Sequence, residues 1–294
     1  MKLQGIFPPV TTPFDSSGDL WKVKVEHNIA KLNRTGLSGY VVLGSTGESK
    51  MLTHEEKVRM WEWVAEYAAP EKLLIAGTGV ESVRETVALT NEAAAIGYKA
   101  ALVATPHYYK NLLSSPQAQM LYYRAVADGA KIPIVIYNWP QMMGIDIPPE
   151  AVAELSHHPN IIGIKESSGN LSKVVQMVSE VKEGFNVTVG SAQILASFLA
   201  VGVTAGILAF ANAAPYACIS IWEAHRTREY EAALDWQRRI AHAATLVTAK
   251  HGIPGLKFAM DLMGYYGGPP RLPLTVPCPP ARQEIEAAFA GLRG

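Results

Sequence analysis

The residue of this chain with the most chemistry to offer is a lysine at the end of an apolar run: Ile161-Ile162-Gly163-Ile164 leads directly into Lys165. Burial strips water from an ammonium and disfavours its charged form, so a lysine there can fall from a pKa of ~10.4 towards ~7. Such a shift costs the charged form about 4 to 5 kcal/mol and supplies a free amine, the nucleophile that condenses with a carbonyl to form a Schiff base. That reaction passes through a carbinolamine, whose formation and dehydration need a proton carrier. Tyr137, which ends the run Ile134-Val135-Ile136, has a hydroxyl suited to the task. Gly44-Ser45-Thr46-Gly47-Glu48 follows another apolar run, and the hydroxyls and N–H groups of such a glycine-bounded turn suit the carboxylate of an oxo acid. Gly163 shares a strand face with Lys165 and is expected to leave room for a substrate carbon. Each residue also has a plain structural reading: a strand-end lysine can snorkel to solvent, a core tyrosine can have its hydroxyl satisfied, and most such turns are only turns.

These residues share a position, each closing a short apolar run. Runs at 5–10, 39–43, 73–76, 100–104, 134–137, 161–165, 186–189 and 205–209 alternate with amphipathic segments. Val58, Trp61, Ala65 and Ala68 share a helical face, as do Leu171, Val174, Val175, Val178 and Val181. Thr53-His54-Glu55-Glu56 has the form of a capping box. Eight continuous apolar strands, each followed by a helix, predict a (β/α)8 TIM barrel over residues 1–212, whose site gathers at the C-terminal strand ends. Residues 213–294 are helical in pattern, with Trp236, Ile240 and Val247 on one face and a break at His251-Gly252-Ile253-Pro254-Gly255, and are read as a C-terminal helical domain. An open doubly wound sheet is the competing fold. Its dinucleotide signature is missing, since Gly77-Thr78-Gly79 is followed by Ser82 where a third glycine belongs.

Composition narrows the function. The chain has 294 residues, 49% hydrophobic, with 26 basic against 26 acidic side chains, which excludes disorder and gives no electrostatic footprint for nucleic acid or an acidic membrane. Cys218 and Cys278 form no disulfide framework or zinc spacing. The N-terminus shows no signal or transit pattern and the apolar stretch 194–217 is broken by polar residues, Gly and Pro, so a cytoplasmic location is expected. No metal is expected, because His157 and His158 are adjacent and diverge, and Asp15-Ser16-Ser17-Gly18-Asp19 lacks calcium-loop spacing. Glu48 and Glu166 are read as structural ion pairs or caps.

Taken together, Gly5-Ile6-Phe7-Pro8-Pro9-Val10-Thr11-Thr12-Pro13-Phe14, Gly44 to Glu48, Tyr137-Asn138-Trp139-Pro140 and Gly163-Ile164-Lys165 resemble the dihydrodipicolinate synthase and N-acetylneuraminate lyase family of class I aldolases. The resemblance runs along nearly the whole chain. It implies that Lys165 condenses with pyruvate or another 2-oxo acid, that Tyr137 relays protons, and that Ser45 and Thr46 hold the carboxylate. It further implies that Tyr108 reaches across a dimer interface, that Gly190 and Leu208 belong to the substrate-binding positions, that no external cofactor is used, and that the chain forms a homo-oligomer, a dimer of dimers.

Within that family, synthase members read Y-N-x-P-x-R-T-G, and here Met142 stands at the arginine, which removes a charge-assisted carboxylate contact. The resemblance is stronger to the 4-hydroxy-2-oxoglutarate aldolase branch, through His158-Pro159-Asn160-Ile161-Ile162-Gly163, Gly190-Ser191-Ala192, 252–257 and 264–269. Thr46 and Asn138 depart from that branch and look synthase-like; the Thr46 hydroxyl could join Tyr137 and Tyr108 in a proton relay. Ser167 matches an aldolase serine that could contact a distal carboxylate. The expected activity is cleavage of 4-hydroxy-2-oxoglutarate to pyruvate and glyoxylate. Dihydrodipicolinate synthase, N-acetylneuraminate lyase and sugar-acid dehydratase stand as alternatives within the family. Outside it stand a non-catalytic barrel that binds an oxo acid with Lys165 as a charge partner, and a phosphate-binding isomerase, for which Gly190-Ser191-Ala192-Gln193 is a faint candidate loop.

Overall fold

The computed structural model describes residues 1–292. Its strands are β1 (Gly5–Phe7), β2 (Gly39–Val42), β3 (Leu73–Gly77), β4 (Ala100–Ala104), β5 (Ile134–Asn138), β6 (Ile161–Glu166), β7 (Asn186–Val189) and β8 (Ala205–Ile207). They form one sheet in the order β1-β8-β7-β6-β5-β4-β3-β2, with every pair parallel. The two ends of that order meet: Ser38 N donates to Ile6 O at 2.9 Å, Val41 N to Pro8 O at 3.0 Å and Val10 N to Val41 O at 2.9 Å. The sheet therefore curls into the nearly closed TIM barrel that the sequence predicts. β1 is shorter than its apolar run because Pro8 and Pro9 have no N–H to extend a ladder.

Two-sided burial explains the unbroken apolar strands. One set of alternating side chains, including Phe7, Val41, Ile75, Leu102, Val135 and Ile207, packs inside the barrel. The other set, including Val42, Ala76, Val103, Ile136 and Ile164, packs under the surrounding helices. Each large aliphatic buried this way contributes roughly 1.5–3 kcal/mol. The helix His54–Tyr67 starts at the expected capping box, with Glu56 N donating to Thr53 Oγ1 at 3.3 Å and Thr53 N to Glu56 Oε2 at 2.9 Å.

The helix after β8, Pro215–Arg226, packs on β1 and on helix Leu195–Ala200 and so completes the ring. Beyond it run Tyr230–Thr245, a π-helical turn at Leu246–Lys250, then Gly252–Leu262 and Pro279–Phe289. The expected break at 251–255 is narrower than the sequence suggests. Gly252, with φ +56, turns the chain, and Pro254 already lies in the first turn of the next helix, where its missing N–H costs no hydrogen bond. Among the described residues no helix is long and apolar enough to cross a membrane.

Gly163 has a different role from the one expected. It lies deeper in the barrel than Lys165, and a Cβ there would stand 2.5 Å from Asn186 O and 2.9 Å from Asn186 Cβ. The space belongs to the neighbouring strand and not to a substrate. Asn186 needs that close approach, because its amide closes the barrel floor by accepting from Leu3 N at 2.8 Å and donating to Ile162 O at 2.6 Å and Met1 O at 3.1 Å. Gly163→Ala is accordingly expected to destabilise the fold by about 1–3 kcal/mol through overpacking, read as a thermal midpoint several degrees lower. An unchanged midpoint would show that the floor can move aside.

Candidate active site

Strand alternation sets the chemistry at the barrel mouth. Lys165 pairs in register with Tyr137 on one side and Thr188 on the other, near the C-terminal strand ends. Its side chain points into the barrel and is 5% exposed, with Nζ 4.3 Å from the centre of the Tyr137 ring. Burial is the one cause acting on this ammonium, and it brings the pKa from an ordinary 10.5 down to about 7. The nearest carboxylate in sequence, Glu166, faces the opposite side of the wall. There it accepts from Asn138 Nδ2 at 2.8 Å and Ser168 N at 2.5 Å, and it pairs with Lys173 at 3.2 Å. Lys173 also binds Asp146. Glu166 is thus the structural ion pair that the sequence suggests, and its charge is matched away from Lys165.

Tyr137 is buried, and burial raises its pKa, while the hydroxyls of Ser45 and Ser167 act against that rise. Ser167 Oγ is buried beside the Tyr137 hydroxyl, and the residue lines the cavity. Gly190 has a steric role here: a Cβ would stand 2.0 Å from Ser167 Oγ and 3.1 Å from Lys165 Cε. Residues Ser45–Gly47 make a single 3-10 turn, closed by Gly47 N to Gly44 O and Glu48 N to Ser45 O, both 3.0 Å. The N–H groups of Ser45 and Thr46 begin the turn and have no acceptor within it, as expected for the first residues of a helical turn. The hydroxyl beside Tyr137 is that of Ser45; Thr46 lines the same cavity.

That cavity has a volume of about 930 Å³ and holds Ser45, Thr46, Tyr137, Lys165, Ser167 and Gly190 together. One residue expected at the substrate lies elsewhere. Leu208 is fully buried in the core between barrel and helices, because the strand turns outward after Ile207, and its neighbour Ala209 reaches the lining instead. Tyr108 is 77% exposed and stacks edge-on against Tyr109 with ring centres 5.0 Å apart, outside the cavity. Met142 is at the rim, and among the described residues no arginine lines the cavity. The outer half of the cavity, to which Gln193, Thr248, Lys250, His251 and Thr275 contribute, lies beyond the residues that the strand-end pattern singles out. The helix break at His251 was the only local sign that the extension bends over the mouth. Among the described residues no group of three His, Cys, Asp or Glu could hold a metal ion.

The depressed Lys165 pKa has a thermodynamic consequence with a definite sign. Its folded value lies below its unfolded value, so between about pH 7 and about pH 10.5 the unfolded chain binds the extra proton and stability rises with pH. Near pH 7 the lysine therefore costs the fold about 4 to 5 kcal/mol, and near pH 10 less than about 1 kcal/mol. Lys165→Met is expected to raise the thermal midpoint near pH 7, with a gain that shrinks towards pH 10. Equal midpoints near pH 7 would contradict the desolvation.

The model of the dihydrodipicolinate synthetase family matches residues 2–290. A 4-hydroxy-tetrahydrodipicolinate synthase of Methanothrix thermoacetophila is 34% identical over 285 residues, covering 97% of this chain and 94% of that protein. A protein of Emericella nidulans named probable 4-hydroxy-2-oxoglutarate aldolase, mitochondrial, is 35% identical over 292 residues, with coverage of 97% and 94%. Among solved structures, the E. coli K12 prophage protein YagE in complex with pyruvate matches with a TM-score of 0.91 at 28% identity over 98% of each chain. A family model along almost the entire length, joined by full-length relatives above 30% identity, means that this chain belongs to the dihydrodipicolinate synthetase family of class I aldolases and lyases.

Proposed function

We propose that the chain cleaves 4-hydroxy-2-oxoglutarate, or a close 2-oxo acid, into pyruvate and glyoxylate. The observation that carries this reading is a lysine amine that burial alone perturbs, in a cavity ringed by hydroxyls and, among the described residues, free of arginine. The Ser45 and Thr46 donors anchor the C1 carboxylate so that C2 lies within reach of Nζ. The neutral Lys165 amine attacks C2 to give a carbinolamine, and Tyr137 gives its proton to the departing hydroxyl, which leaves as water. The products of that step are an iminium on Lys165 and a phenolate on Tyr137. Burial resists the phenolate in the resting site, and the new positive charge beside the ring offsets that cost.

The phenolate then takes the proton of the 4-hydroxyl. The C3–C4 bond breaks, its electrons flow into the iminium to give an enamine, and glyoxylate leaves. Protonation at C3 and addition of water release pyruvate and restore the amine. Ser167 Oγ, beside Tyr137 at the cavity lining, is the donor for the distal carboxylate. The pyruvate held by the E. coli relative and the name of the Emericella relative both support this assignment. Exposed Tyr108, with exposed Tyr109 and Leu112 beside it, supports a further role in contact with a second copy of the chain.

A second reading is condensation of pyruvate with aspartate semialdehyde, favoured by the name of the Methanothrix relative. It would need a substitute for the carboxylate-binding arginine, since Met142 occupies that position. The two readings share the pyruvate half of the site and differ at the partner aldehyde.

Borohydride reduction in the presence of pyruvate is expected to leave a stable mass increase on the peptide that contains Lys165, absent in Lys165→Met. No adduct on a folded wild type would overturn the reading. Tyr137→Phe is expected to lower kcat by about 10²–10⁴ while the protein stays folded. In a panel of 4-hydroxy-2-oxoglutarate cleavage, N-acetylneuraminate cleavage and aspartate semialdehyde condensation, the first should give the highest kcat/KM. Dominant condensation would select the synthase reading.

A further inference from the structure

The chain has a second buried lysine, and its surroundings are the reverse of those of Lys165. Lys257, on the helix Gly252–Leu262, is fully buried and pairs at 2.5 Å with Glu48, whose side chain is also fully buried. Its ammonium donates to Thr12 O at 2.9 Å and Pro269 O at 3.0 Å, and lies 4.5 Å from the centre of the Phe14 ring. The second Glu48 oxygen accepts from Arg271 N at 2.9 Å, and the Arg271 guanidinium is held in turn by both oxygens of Glu56 at 2.6 and 2.7 Å.

Glu48 ends the turn that presents Ser45 and Thr46. It has φ 54, a left-handed conformation that residues with a Cβ adopt only when their surroundings hold them there. Its own N–H closes the turn on Ser45 O, and Thr12 Oγ1 donates to the neighbouring Gly47 O at 2.6 Å. Lys257 touches both supports of the turn, Glu48 through its carboxylate and Thr12 through its carbonyl. A buried pair is weak evidence of a stabilising role, because replacing it with apolar groups of similar volume is often neutral or stabilising. Neither Glu48 nor Lys257 acts on the Lys165 amine, which burial alone perturbs.

We propose that Lys257 is a positioning residue for substrate binding: it holds Glu48 in its left-handed conformation and so aims the Ser45 and Thr46 donors at the carboxylate of the 2-oxo acid. The helical extension is then part of the binding machinery as well as a cover for the barrel. This inference rests on the reading of that turn as the carboxylate site.

The test compares wild type, Lys257→Met and the double variant Glu48→Gln/Lys257→Met as full-length chains. The readouts are the pyruvate concentration for half-maximal borohydride trapping, the pH midpoint of trapping and the thermal midpoint. Lys257→Met leaves a buried carboxylate unpaired and is expected to lose thermal stability. The double variant removes both charges and is expected to regain it, yet to need at least about tenfold more pyruvate, with the pH midpoint of trapping unchanged. A purely structural pair would instead return half-saturation to within twofold of wild type along with the thermal midpoint, and that result overturns the proposal. If the double variant does not fold, Glu48→Gln alone is judged by the same two criteria. No trapping in the wild type would overturn the 2-oxo-acid reading and this inference together; trapping with unchanged half-saturation in the variants overturns this inference alone.

Discussion

The site depends on one unfavourable interaction, the burial of the Lys165 amine with, among the described residues, no anion beside it. An ammonium at that position would lose its hydration and gain nothing in return, so the proton leaves near neutral pH. The barrel makes this possible through the two-residue period of a strand. Lys165 points inward, and the very next residue, Glu166, points outward to Lys173 and Asn138. If β6 slipped by one residue, the carboxylate would face the cavity and the lysine would face the helices. The pairing of β6 with β5 and β7 therefore fixes the reactivity of the amine as well as its place.

The two buried lysines show how the same side chain is put to opposite uses. Lys257 lies opposite a carboxylate and two carbonyls, which counter part of the burial that still pulls its pKa down, and it works as a clamp. Lys165 has an aromatic face beside it and hydroxyls around its cavity, and it works as a nucleophile in the proposed reaction. Both lysines are buried, so burial alone does not separate them. The presence or absence of a facing carboxylate does, and in each case that is set by which elements meet there.

Much of this was legible in the sequence, because strand ends can be read as local patterns. Lys165, Tyr137, Ser45 and Thr46 each close an apolar run, and a barrel brings such ends to one rim whatever the details of packing. The eight strands could be read because burial on both faces leaves each one apolar throughout. What could not be read involved neighbours distant in sequence. The missing Cβ of Gly163 serves Asn186, some two dozen positions later, and the glycine itself does not reveal which neighbour needs the space. Leu208 stands one residue past the end of β8, where the turn moves its side chain from the mouth into the core. The outer cavity wall from the extension, and the Lys257–Glu48 pair at |i−j| above two hundred, follow from tertiary packing that no local period reports.

Lys165 gives up its proton near neutral pH because it is desolvated and burial alone acts on it. Selective isotopic labelling of lysine side chains, with the Lys165 signal assigned by its loss in Lys165→Met, allows its titration to be followed directly by NMR. A midpoint near pH 7 is expected in the absence of any 2-oxo acid. A midpoint near 10, like that of a solvated lysine, would contradict it.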